Sequence, residues 1–404
     1  MKAVRKRILA ILSALALLIG VVSWCGAVNV NYINTRGWDE YFVGELLEWN
    51  PDLFSGRYLI REQVAQQIFL RFEDGNISNL EGIRYFTALE ILVIRENNLT
   101  SLDLSNSPEL RQLFIDGNYQ LTSLDLSNNP ALETLVVNDA QLGSLDLSNN
   151  PALRRVEASH SNLTSIDISN NTMLEVLRVD NNNLTVIDVS NNPELDQLVI
   201  AHNNFTALDV SNNPVLFQLS VSSNQLTLLD VSNNPELASL SADFNNLTSI
   251  DVSDNPELRT LSVEGNNLTS LDISNNPALD WLSVDSNKLT TLDVSNNPAL
   301  VWLSVSGNEL TTLDVSGVPF LRRLNVANNR LTSLDVSNNH DLGSADNHPH
   351  WSSIVGLVVS GNYMSSPDDI IGWREIGLDL RPEDSYRPRE YNFIFWPQRT
   401  PATN

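Results

Sequence analysis

The stretch LEILVIRENNLTSLDLSNSPE (89–109) is followed by near copies of itself along most of the chain. It recurs as LETLVVNDAQLGSLDLSNNPA (132–152), LRTLSVEGNNLTSLDISNNPA (258–278) and LVWLSVSGNELTTLDVSGVPF (300–320). The period is 21 residues, and twelve copies fill 89–341; the second, 110–131, carries one extra residue. A divergent copy precedes them at 67–88, with Leu70, Phe72, Ile77 and Leu80 at the apolar positions, and a partial one follows at 354–364. In the pattern LxxLxVxxNxLTxLDVSNNPx the apolar residues fall at positions 1, 4, 6, 11, 14 and 16. Positions 4 and 6 are two apart, as are 14 and 16, which is the side-chain period of a strand. No copy has a helix-length apolar stripe. One such turn cannot cover its own apolar side, whereas stacked turns can, so the repeat dictates a mainly β solenoid. The 404 residues count turns and not several domains.

The pattern resembles the leucine-rich repeat family over residues 67–364. ISNLEGIRYFTALEIL (77–92) and the recurring LTSLDVSNNPxL look like bacterial internalin-type surface proteins of the 21-residue repeat branch. That branch usually carries cysteine at position 6, where this chain has Ile94, Ile115, Val137, Ala158, Val179 and their successors. The resemblance implies a right-handed solenoid of about fourteen turns, with a parallel sheet on its concave face. Strand-like segments on both sides imply shallow curvature. At about 4.8 Å per turn the stack is roughly 65 Å long.

Two rows of polar residues run through the copies. Position 9 is Asn97, Asn118, Asn182, Asn203, Asn224, Asn245, Asn266, Asn287, Asn308, Asn329 and Asn362. A stacked, buried amide can bond the backbone groups that a curved coil leaves unpaired, so this row is structural. Ala140 and Ser161 interrupt it, which makes 132–173 the expected least regular stretch. Position 15 is aspartate in all twelve copies, from Asp103 to Asp335, pointing outward as a row of like charges. Each carboxylate is expected to accept bonds from the serine two residues on, without calcium. The Asn-Pro ending, as in Asn275-Asn276-Pro277, reads as turn chemistry. The Asn-Leu-Thr triplets match glycosylation acceptors but follow from the repeat itself.

The outward positions of the first strand are 3, 5 and 7, with 8 and 10 at the rim. Position 5 is serine in five successive copies, Ser220, Ser241, Ser262, Ser283 and Ser304. Position 3 brings Trp281 and Trp302 onto neighbouring strands with Arg323 next, and position 7 adds Asp243, Glu264 and Asp285. Exposed tryptophans among serines and acids suit an anchor patch for a protein, or a stacking platform for a sugar. Alternatively Trp302 and Arg323 stack on each other and merely cover the surface. The candidate binding residues are Trp281, Trp302, Ser283, Ser304, Asp285, Arg323 and, at the rim, Phe244.

Composition limits the partners. Acids outnumber bases 49 to 24, the net charge is −25, and Lys288 is the one lysine past residue 6. Nucleic acid is excluded on that charge. The single cysteine, Cys25, lies in an N-terminal segment with basic residues, an apolar run from Ile8 to Val22 and small residues at Cys25 and Ala27. That reads as a signal peptide cleaved after Ala27. Cleavage removes four bases and no acids, taking the charge from −25 to −29. A lipid anchor on Cys25, or retention of the segment as a membrane tether, are the rival readings. His340, His348 and His350 beside Asp341 and Asp346 could hold zinc, although short histidine loops usually hold nothing. No nucleophile elbow, phosphate loop or HExxH is present, and the carboxylates stand in rows, so no enzyme and no cofactor are expected.

The expected organisation is a leader at 1–27, an N-terminal cap at 28–66 with WDEYFVGELLEW as its helix, repeats at 67–364 with an insertion at 342–353, and a cap at 365–404. In that cap Ser366 starts a helix and YNFIFWP (391–397) is a closing strand. The expected function is recognition of a protein or glycan by an exported, monomeric, non-enzymatic bacterial surface protein. A passive envelope spacer is the alternative.

Overall fold

A computed structural model describes residues 32–56, 58–344, 356–380, 393–396 and 398–399. The leader and most of the histidine-bearing insertion lie outside them. The first strand of each copy occupies positions 3–5, and fifteen strands form one parallel sheet from Phe69–Glu73 to Phe393–Ile394. Pairing is in register at one period, as in Leu177↔Leu198 and Leu261↔Leu282. The extra residue of the second copy is absorbed in the pairing Leu113↔Leu135, and the insertion in Leu324↔Leu357. The six apolar positions fill the interior: Leu258, Leu261, Val263, Leu268, Leu271 and Ile273 are all buried in one copy. After each strand, position 8 turns the chain in the left-handed region, in His160, Phe244 and Asn328 as in Gly265 and Gly307.

The second extended segment, positions 14–16, forms regular ladders only at Ser144–Asp146 with Ser165–Asp167 and at Leu334–Asp335 with Ile370–Ile371 among the described residues. Isolated bridges join Asp103 to Asp125 and Asp230 to Asp251. The turn that follows is the same throughout: the N–H of Ser274 donates to Asp272 Oδ1 at 3.0 Å, and Ser148 and Ser169, in the copies that ladder, donate likewise to Asp146 and Asp167. Ser144–Asp146 and Ser165–Asp167 fall in 132–173, so that stretch departs from its neighbours by carrying an extra ladder opposite the main sheet. The main sheet itself runs through it unbroken.

The N-terminal cap packs helix α1 (Glu40–Trp49) on the first turn, burying Phe42 and Leu46 one helical turn apart. Asp39 caps it, accepting from the N–H groups of Tyr41 and Phe42, and its other oxygen accepts from Ser78 N and Oγ at 2.8 and 2.6 Å. The Trp38 ring stacks between Phe42 and Tyr85 and lies on Gly82, where a Cβ would sit 2.1 Å from the ring. At the other end Ser366 starts one 3-10 turn, Pro367–Asp369, and not a longer helix, because Ile370–Ile371 is drawn into pairing and Gly372 turns left-handed. Phe393–Ile394 closes the main sheet beside Leu357–Val358.

Candidate functional site

Trp281 and Trp302 are direct partners on adjacent parallel strands. The strand spacing is close to a ring stacking distance. The indoles lie face to face, centroids 4.4 Å apart and planes 3° from parallel, and each is half-buried. Ser283 and Ser304 lie beside them on the same strands, but both are buried, Ser304 to 3% exposure. The Ser304 hydroxyl donates to both oxygens of Asp285 at 2.7 Å, and Ser306 N donates to Asp285 Oδ1 at 2.6 Å. Asp243 does the same for the following turn, accepting from Glu264 N at 2.8 Å and from Ser262 Oγ at 2.7 Å. Position 7 acids thus finish the strand ends. Burial pushes the Asp285 carboxyl up, the bonds from Ser304 and Ser306 offset part of that, and the charge of Asp243 adds to it. Burial likewise raises Glu264, with Asp285 and Asp243 contributing.

Arg323 is a correction. It is 6% exposed, and its Nη1 donates to the carbonyls of Arg322 and Ser344, so it supports the start of the insertion and presents no charge to a partner. The structure therefore gathers Trp281, Trp302, Ser283, Ser304 and Asp285 in one patch, with the tryptophan pair as its accessible part. Phe244 stands elsewhere, on the rim two turns earlier, 56% exposed. Its backbone is left-handed at φ 52°, a region that costs a bulky residue roughly 1–2 kcal/mol, and its ring lies over Gly265, where a Cβ would be 2.6 Å away.

Other surface features escaped the sequence reading. The N-terminal half of the sheet face carries ion pairs: Arg95 bonds Asp116 at 2.9 Å and covers the Phe114 ring, Arg155 pairs with Glu157, and Arg178 donates to Gln197. Arginines at positions 3, 5 and 7 were the available signal. A second amide row was missed as well. The later asparagine of each Asn-Asn-Pro, position 19, is fully buried; Asn276 Nδ2 donates to Val252 O and Asn255 O, both at 2.9 Å.

The position 9 row does what its pattern implied. Asn266 Nδ2 donates to Ala242 O and Val263 O, and its Oδ1 accepts from Leu247 N at 3.0 Å. The same geometry runs through Asn182, Asn203, Asn224, Asn245, Asn287, Asn308 and Asn329. Asn97 and Asn118 hold the first turns, and Gln398 caps the row by accepting from Asn362 N. The position 15 aspartates accept from the serine two residues on. For Asp272 the N–H of Ser274, then its hydroxyl, holds the carboxyl below the usual aspartate range. His160 and His202 are exposed on the rim, whereas His348, His350 and Asp346 lie outside the described residues. Among the described residues no cluster of three metal-ligating side chains occurs, and no helix is long and apolar enough to cross a membrane.

No family model and no curated protein matches the chain. Solved structures do. The functional domain of InlJ from Listeria monocytogenes, which includes a cysteine ladder, is 30% identical, with a TM-score of 0.68 over 81% of this chain and 75% of that one. A leucine-rich repeat protein of Leptospira interrogans is 23% identical, with a TM-score of 0.65 over 73% and 79%. The internalin InlF of Listeria monocytogenes is 20% identical, with a TM-score of 0.64 over 85% and 96%. The last two share the fold; the first shares sequence as well, with aliphatic residues and alanine here at the position where cysteine was expected. The chain belongs to the internalin-like leucine-rich repeat proteins.

Proposed function

We propose that this chain is an exported, non-enzymatic bacterial recognition protein that binds a protein partner through the C-terminal half of its concave sheet face. The observation that carries the reading is where the copies differ. Position 3 holds seven residue types over the twelve copies, while positions 15 and 17 hold only Asp and Ser. The variable positions lie on the sheet face and the constant ones on the far side of each turn. A scaffold that served only for length would need no such division, which favours recognition over the spacer reading. The stacked Trp281–Trp302 pair is the large, rigid anchor on that face, and little side-chain freedom is lost when a partner covers it.

The test is binding of the chain to a partner identified by cross-linking at the bacterial surface. Trp281→Ala with Trp302→Ala should weaken affinity at least tenfold, while Thr269→Ala on the opposite side should not change it. Equal affinity in the double tryptophan variant would remove the patch from consideration.

A further inference from the structure

The rim carries a second regularity, independent of the concave face. Position 8 is left-handed in every full copy, and six of the twelve fill it with Gly, Asn or Asp, such as Gly265, Gly307, Asn181 and Asn328. Glu96, Ser223 and Ser286 take three of the others, and the last three carry rings. His160, His202 and Phe244 place rings there at φ 53°, 53° and 52°, all exposed, so no core contact offsets the strain. They stand 42 residues apart, every second turn. Two turns before His160 position 8 is Gly117, and Tyr119, 59% exposed, stands two residues on at position 10 of the same rim. Three ring-bearing residues therefore follow one line at intervals of two strand spacings, roughly 9.6 Å, with Tyr119 beside its N-terminal end. Alongside, position 10 is an amide in seven successive copies, from Gln141 to Asn267.

We infer that this rim binds a linear, uncharged β-1,4-linked glycan lying parallel to the solenoid axis. In such a chain each sugar is turned over relative to the last, so the same apolar ring face recurs at every second sugar, with a repeat that matches two turns of this coil. Alternate sugars rest their C–H faces on Phe244, His202 and His160, and the amide row bonds hydroxyl or acetamido groups between them. Phe244 shows the geometry required, its ring laid over Gly265 with the outer side in solvent. A charge of −25 sets the chain against anionic polysaccharides. Four turns separate His160 from Phe244, which suits about five sugars at one per turn, within reach of a hexamer.

Calorimetric titration with cellohexaose, chitohexaose and maltohexaose tests this. At least one β-linked hexamer should bind, its dimer at least tenfold more weakly, and the α-linked maltohexaose not at all. Binding of cellohexaose alone assigns an unsubstituted glucan; binding of chitohexaose alone assigns an N-acetylated chain. The triple variant His160→Asn, His202→Asn, Phe244→Asn should melt no lower than the parent, because asparagine accepts the left-handed turn, and should lose at least tenfold in affinity. Phe244→Tyr should keep it. Trp281→Ala with Trp302→Ala should also keep it, which separates this site from the concave face. Absence of β-glycan binding at millimolar concentration, equal binding of maltohexaose, or full affinity in the triple variant would each overturn the proposal.

Discussion

Asn266 and Asn276 sit one half-turn apart in the same copy, yet their removal should differ in consequence. Asn266→Ala leaves Leu247 N, Ala242 O and Val263 O without their side-chain partner in the interior, at about 1–3 kcal/mol for each group left unsatisfied. Asn276→Ala deprives only Val252 O and Asn255 O, and also removes an amide oxygen that has no protein partner. Thermal melts of the two variants should place Asn266→Ala clearly lower; the reverse order would refute the assignment of the main backbone-satisfying role to position 9. That role was legible because asparagine at an inward position of a strand-turn pattern has no other explanation. Position 19 was not legible, since two adjacent asparagines before a proline look alike as turn formers, and only the path of the coil decides which one faces inward. Asp285 offers a second test. Its carboxyl is raised by burial, so its charge weighs against folding above the usual aspartate value of 3.8, and more so as pH rises through the higher folded value. Asp285→Asn keeps an acceptor for Ser304 and Ser306 and should raise the melting temperature at pH 7. The gain should vanish below about pH 3.8, where the native carboxyl is protonated in both states.

Within elements, the interruption of the amide row at Ala140 follows from the extra residue one copy earlier. In a regular copy the position 11 N–H donates to the asparagine of the next turn, as Leu247 N does to Asn266. In the second copy Leu121 N donates instead to Asn118 O at 2.9 Å, within its own bulge. An asparagine at 140 would have nothing to accept from that turn. Ser161, next in the row, still donates to Val137 O at 2.8 Å, the carbonyl an asparagine there would reach. Two substitutions that read from the sequence as a loss of regularity are thus matched to a changed hydrogen-bond supply. Ala140→Asn should therefore be neutral or destabilising in the native chain, but stabilising once Gln120 is deleted to restore the 21-residue period. A double-mutant cycle by chemical denaturation reads this coupling, and additive effects would disprove it. The cap helix is tied by one residue: Asp39 both caps α1 and accepts from Ser78 on the first turn. Burial alone would raise its carboxyl, but the bonds from Ser78, Phe42 and Tyr41 leave it lowered. Asp39→Ala should cost about 2 kcal/mol or more, combining a lost cap with two lost tertiary bonds, and should expose α1 to proteolysis before the repeats. The helix start was visible as an acid before apolar residues one turn apart. The bond to Ser78 was not, because nothing local marks a partner 39 residues away.

For the whole molecule, stability is set against its own charge. Twelve of the 49 acidic residues form the position 15 row, whose carboxyls are lowered by the paired serines while neighbouring aspartates in the row act the other way. Because the folded values are lowered, the stability these turns contribute is fully present above the usual aspartate value of 3.8 and is lost as pH falls through the folded values. Mutual repulsion of a chain with net charge −25 and pI near 4.4 eases over the same descent. The two trends cross, so the melting temperature should rise from pH 7 toward about pH 4.4 and fall steeply below 3.8. The sequence already showed the row and its outward direction, since Asp lies between two inward aliphatics. It did not show how far positions 14–16 pair between turns: two continuous strands per turn were expected and mostly one was found, with the Ser N–H serving the carboxylate alike in copies that ladder and copies that do not. That local service also decides how the row treats cations. A carboxylate held by a serine two residues on needs no metal to face its neighbours, and screening alone offsets the remaining repulsion. Sodium chloride from 10 to about 500 mM should raise the melting temperature at pH 7 as the screening length contracts from about 30 Å to below 8 Å. Calcium chloride at matched ionic strength should add nothing further, and a chelator should leave the melt where it was. A fall of many degrees in chelator, restored by calcium and not by sodium, would show that the row binds metal and that the serine turns only shape the site.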